Sequence, residues 1–126
     1  PQQIPCDGPL SINDFIAYEH VMVSYRESNH SEIDRQLASQ GLQRRVRYVT
    51  ANFSTFPLLL TTMPIFATVP DGLARRWQQY FTLRSSATPV NYHTFTLCIL
   101  HHKRRAQDPA LNWLMAQLKT AMLQFQ

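Results

Sequence analysis

Apolar and polar positions along this chain follow two different periods, and the period changes several times. Residues 20–25 (HVMVSY) form a short, β-branched, nearly continuous apolar run, the pattern of a strand buried in a parallel sheet. A helix is predicted over residues 31–40: Ile33 and Leu37 share its inner face, and Asn29 or Ser31 can cap its start. Gly41 then stands where helices end in a left-handed residue. Residues 45–50 (RVRYVT) alternate strictly, as a half-exposed or edge strand does. Asn52, Phe53, Ser54 and Thr55 open a short apolar helix reaching about Thr62, with Pro57 tolerated in its first turn. Residues 65–69 (IFATV), bracketed by Pro64 and Pro70, read as a third buried strand.

Beyond that point residues 73–80 suggest a short helix, and Leu83 with Arg84 a brief strand. Residues 93–101 (HTFTLCILH) read as the longest strand, with Phe95, Leu97 and Ile99 on one face. The last helix has the strongest signature. Asp108 caps it, Pro109 takes its first position, and Leu111, Leu114, Met115, Leu118, Met122 and Phe125 make a one-sided stripe. A β-α-β-α-β order over the first seventy residues implies a parallel sheet with right-handed crossovers, so the fold class is α/β. No internal repeat or low-complexity tract interrupts it.

Composition narrows the function. With 126 residues, 44% hydrophobic and 16% charged, the chain is one ordinary domain with too much apolar content for disorder. No apolar run approaches the ~20 residues of a membrane span, and no leader opens the chain, so a soluble protein without a membrane partner is expected. Two cysteines, Cys6 and Cys98, lie far apart and suit a reducing, cytoplasmic setting. Only three glycines are present, which leaves no phosphate-cradling loop and hence no nucleotide enzyme of that kind. The net charge is +4, and eight of the twelve basic residues fall in three groups, Arg44, Arg45 and Arg47, then Arg75 and Arg76, then Lys103, Arg104 and Arg105. Each group sits at the edge of a predicted element, where solvated surface accounts for it better than nucleic-acid contact does.

The five histidines offer no metal-ligand spacing: His101 and His102 are adjacent and would point to opposite faces of a strand. Ser24 lacks the glycine-flanked elbow of a nucleophile, and the eight acidic residues are scattered. Neither an enzyme nor a cofactor is therefore expected. A binding site is better supported, because open α/β sheets hold ligands beyond the carboxyl ends of their strands. Ser24 and Tyr25 follow the first strand, Asn52, Phe53 and Ser54 the second, and Pro70 the third. The second group combines amide, ring and hydroxyl at a helix start, a place suited to a carboxylate or another anion. The plainer alternative is that Ser54 caps the helix and Phe53 packs inside.

The stretches 8–15 (GPLSINDF), 20–24, 41–46, 53–60 and 65–70, with the tail residues His102 to Arg105, Asp108, Pro109, Ala110, Trp113 and Leu114, resemble in order and spacing the effector-binding domain of LysR-type transcriptional regulators. Residues 61–70 (TTMPIFATVP) replace the glycine-rich segment of many members and are similar to the branch containing NodD, NahR and LeuO. The resemblance implies an incomplete type 2 periplasmic-binding-protein-like fold. Residues 1–13 would cross over from lobe I, residues 14–70 would form a Rossmann-like lobe II, and residues 71–126 would return to lobe I with the C-terminal helix. It implies a small-molecule effector between the lobes, self-association as homodimer or tetramer, and DNA contact only through a helix-turn-helix preceding residue 1. The chain would then be a fragment. A solute-binding receptor lobe of a transport system is the alternative.

Overall fold

The computed structural model describes residue 4 and residues 9–24, 31–91, 96 and 98–123. Two units are distinguished, residues 1–92 and residues 93–126. The first carries α1 (Ile12–Ala17), β1 (Glu19–Val23), α2 (Glu32–Ser39), β2 (Arg45–Thr50), α3 (Phe56–Thr62), β3 (Ile65–Ala67) and α4 (Asp71–Gln78). The second carries α5 (Pro109–Leu123).

β1 is the interior strand of a three-stranded sheet of order β2-β1-β3, parallel on both sides. Its Val21 and Met22 are buried, as the continuous apolar run predicts, whereas β2 alternates exposed and half-buried positions and lies at an edge. β3 is shorter than predicted, ending at Ala67, and forms the other edge. Parallel pairing with intervening helices is the α/β arrangement read from the sequence.

α2 begins at Ser31 with a reciprocal capping box: Ser31 Oγ accepts from the Asp34 amide, and the Ser31 amide donates to Asp34 Oδ2 at 2.6 Å. It ends at Gly41, whose φ of +70° is a left-handed geometry that costs a side-chain-bearing residue energy. The Leu42 amide then closes back on Leu37 O at 2.9 Å. One cluster packs Ile33 and Leu37 of α2 against Phe15 of α1 and Val90. On the other side Val21, Phe56 and Ile65 join the sheet to α3, with Tyr48, Phe53 and Trp77 against them.

α1 has no counterpart among the elements predicted from the sequence. It starts at Ser11, whose hydroxyl accepts from the Asp14 amide at 3.1 Å. α5 starts as predicted, with Asp108 Oδ1 accepting from the amides of Ala110 and Leu111. The expected strand over 93–101 is not formed at its described residues, Thr96 and 98–101, and Leu83 with Arg84 belongs to no strand. A strand is held by a neighbour's backbone, and the ladders among the described residues join only β1, β2 and β3. His93, Thr94, Phe95 and Leu97 of that stretch fall outside the described residues, as do Cys6, Asn29 and Phe125.

Candidate functional site

The carboxyl ends of the parallel strands lie on one side of the sheet, and they bring most of the predicted site residues together. The ladder of β1 and β2 pairs Val23 with Thr50, and the Ser24 amide extends it by donating to Thr50 O at 2.9 Å. Thr50 Oγ1 in turn donates to Asn52 O at 2.6 Å. Ser24 is half-buried, and Asn52 and Ser54 are exposed. Pro70 precedes α4 and its carbonyl accepts from the amides of Leu73 and Ala74. Tyr25 lies outside the described residues.

Local chemistry explains the turn after β2. Asn52 caps a 3-10 turn over Phe53–Thr55, its Oδ1 accepting from the Ser54 amide at 3.1 Å and from the Ser54 hydroxyl. The cap is thus Asn52 rather than Ser54. With Oδ1 engaged as acceptor, the Asn52 Nδ2 group is a donor. Phe53 is half-buried and meets Phe56 edge-on at 5.5 Å, so its ring is largely spent on the core.

Among the described residues, none of the predicted site residues lines a broad concavity found elsewhere in the first unit. That space, about 1260 Å³, belongs to the first unit and is bordered by Phe15, Phe66, Val69, Trp77, Phe81 and Val90 among others. Its walls come from the open edge of β3, from α4 and from residues 82–91. The sequence gives little sign of it, since residues 82–91 carry neither period.

The basic residues behave differently from their sequence reading at one position. Arg44 is 5% exposed and bound to Asp34, not a solvated surface charge. Burial opposes ionisation of Asp34, but the hydrogen bonds from Arg44 and Ser31 outweigh it and lower the carboxyl to about 2. Arg47 pairs with Glu19 at 2.7 Å, Arg105 with Asp108 at 2.8 Å, and Arg75 with Asp71. The fully buried His20 is held neutral, its pKa lowered to about 4 chiefly by desolvation. Among the described residues no group of three or more His, Cys, Asp or Glu could hold a metal, and no helix is long and apolar enough to cross a membrane.

Comparison with known proteins gives a consistent picture. Residues 1–123 match the family described as the LysR substrate binding domain. The transcriptional activator NagR of Ralstonia sp is 31% identical over 107 residues, covering 85% of this chain and 36% of that protein. NahR of Pseudomonas putida, another transcriptional activator, is 28% identical over 106 residues and 35% covered. This chain therefore spans about a third of the relatives it matches. The regulatory domain of MexT, a transcriptional activator of Pseudomonas aeruginosa, superposes with a TM-score of 0.75 at 29% identity, over 90% of this chain and 57% of that one. A protein from Vibrio parahaemolyticus, at 21% identity and a TM-score of 0.76 over 94% of this chain and 56% of that one, shares the fold.

Proposed function

The chain belongs to the LysR substrate-binding domain family, and on that premise we propose that it is the effector-sensing and oligomerising part of a cytoplasmic DNA-binding transcriptional regulator, with no catalytic activity and no cofactor. Residues 14–70 act as lobe II, residues 1–13 as the crossover from lobe I, and residues 71–126 as the return segment of lobe I with the C-terminal helix. A small anionic or aromatic effector binds between the lobes and touches Ser24, Tyr25, Asn52, Phe53, Ser54 and Pro70. The observation that carries this reading is the hydrogen-bonded union of Ser24, Thr50 and Asn52 at the carboxyl edge of a parallel sheet, where α/β folds bind ligands. Asn52 Nδ2 supplies a donor there, which suits a carboxylate or carbonyl oxygen.

Effector binding changes the angle between lobes and rearranges the contacts of a homodimer or tetramer, repositioning a helix-turn-helix that lies outside these 126 residues. The relatives are transcriptional regulators, which favours this reading over a transport receptor. The test is a melting-temperature screen with small aromatic and anionic compounds. A compound that raises the melting temperature of the wild type and not of Asn52→Leu supports the site. Stabilisation unchanged by Asn52→Leu and Ser24→Ala places the effector elsewhere. Tight, operator-selective DNA binding by the 126 residues alone would overturn the sensing role.

A further inference from the structure

His20 sits on the interior strand β1 with its ring fully enclosed. A carbonyl oxygen can only accept, so the 2.7 Å contact between Nε2 and Phe15 O puts the proton of the neutral ring on Nε2. Nδ1 is then a bare acceptor, buried and without a partner among the described residues. The carbonyl that His20 binds belongs to the last turn of α1, where helix carbonyls have no partner within the helix. α1 has six residues, too few to persist without tertiary support, and Phe15 is its buried side chain. The Phe15 ring stands edge-on to the imidazole at 4.5 Å, and Phe66 of β3 lies 5.7 Å from it.

We propose that His20 is a proton-sensitive latch: the neutral ring fastens α1 to the sheet, and the protonated ring releases it. A second proton would place an N–H on Nδ1 where no acceptor waits, and a charge where the neighbours from α1 and β3 are phenyl rings. Two charged groups act on the ring, Arg44 ahead of β2 against protonation and Asp34 of α2 in favour of it. They are paired with each other, which leaves neither to serve as counter-ion. Glu19, on the opposite face of β1, pairs with Arg47, and Asp14 of α1 is bound by Ser11. Because Phe15 and Phe66 also border the 1260 Å³ concavity, release of α1 opens its wall.

Amide hydrogen exchange of the protein at pH 7.5 and pH 4.5, corrected for intrinsic rates, tests the latch, with His20 followed in parallel by its ring proton resonances. Between an open-state pKa near 6.5 and a closed-state value of about 4, opening of α1 should increase by roughly 50- to 100-fold at the lower pH. The amides of α1 should lose protection while those of α2 and β1 keep theirs, and His20→Gln, which can donate but not titrate, should show no such loss. Should that variant fail to fold, the wild-type profile still decides. Protection of α1 that is unchanged at pH 4.5, equally lost in His20→Gln, or lost together with α2 and the sheet overturns the proposal.

Discussion

Arg44 and Asp34 meet in a two-pronged contact, Nε to Oδ1 at 2.7 Å and Nη2 to Oδ2 at 3.1 Å, with side chains only 2% and 15% exposed. Nη2 also reaches Ser31 Oγ at 3.0 Å, so the cap of α2 and the segment entering β2 are one network. Such a pair contributes little over a well-packed apolar replacement, but either member alone is a stranded charge.

Asp34→Ala should therefore cost about 3–5 kcal/mol of unfolding free energy, while Arg44→Met combined with Asp34→Leu should cost far less. Urea denaturation of both variants measures this. A loss below about 1 kcal/mol in the single variant would mean that the guanidinium escapes to water.

The same pair gives an acid signature. The Asp34 carboxyl lies at about 2 in the folded chain against 3.8 without its partners, so its contribution is complete above pH 3.8 and disappears as pH falls through 2. The amount is about 2 kcal/mol. Stability measured from pH 5 down to pH 2 should fall less steeply in Asp34→Asn than in the wild type, and equal slopes would contradict the assignment.

Leu37 has no exposed surface and touches the cluster of Phe15, Ile33 and Val90. Leu37→Ala should destabilise by about 2–5 kcal/mol through lost burial and the cavity left behind. Leu58→Ala, at a site 67% exposed on α3, should stay within about 0.5 kcal/mol. Thermal unfolding of the two side by side checks the contrast.

Gly41 isolates a backbone effect. A methyl group there would meet nothing within 4 Å, so Gly41→Ala should cost only the left-handed strain, about 1 kcal/mol. Gly41→Asn should recover part of it, since asparagine tolerates that region. Equal stabilities of all three chains would show that the turn relaxes.

Leu114, Leu118 and Met122 of α5 remain exposed, and Lys119 is the one charged residue between positions 109 and 123. Sedimentation of the wild type should show self-association, and Leu114→Lys with Leu118→Lys should yield monomers. A monomeric wild type at tens of micromolar would contradict a role for this face in assembly.

What the sequence made legible was whatever local chemistry decides. The α2 boundaries follow from Ser31 and Gly41, and the α5 start follows from Asp108 and Pro109. The contrast between the buried β1 and the alternating β2 follows from their side-chain periods. Two features depended instead on distant partners. In the sequence Arg44 reads as one of three surface arginines, and only the position of Asp34 ten residues earlier on a folded helix makes it interior. Residues 93–101 have a strand's pattern, yet pattern alone supplies no ladder partner. At the candidate site the grouping of Ser24 with Asn52 follows from parallel topology and the inward packing of Phe53 is the plainer alternative read from the sequence, whereas capping by Asn52 in place of Ser54 depends on the local backbone turn.

The bond from the Ser24 amide to Thr50 O, with the Thr50 hydroxyl on Asn52 O, has one more consequence. Ser24 and Asn52, 28 positions apart in the chain, are thus joined through Thr50 by a common splint. On the proposal that an effector binds at Asn52, its pull would reach the end of β1 as well as the turn after β2.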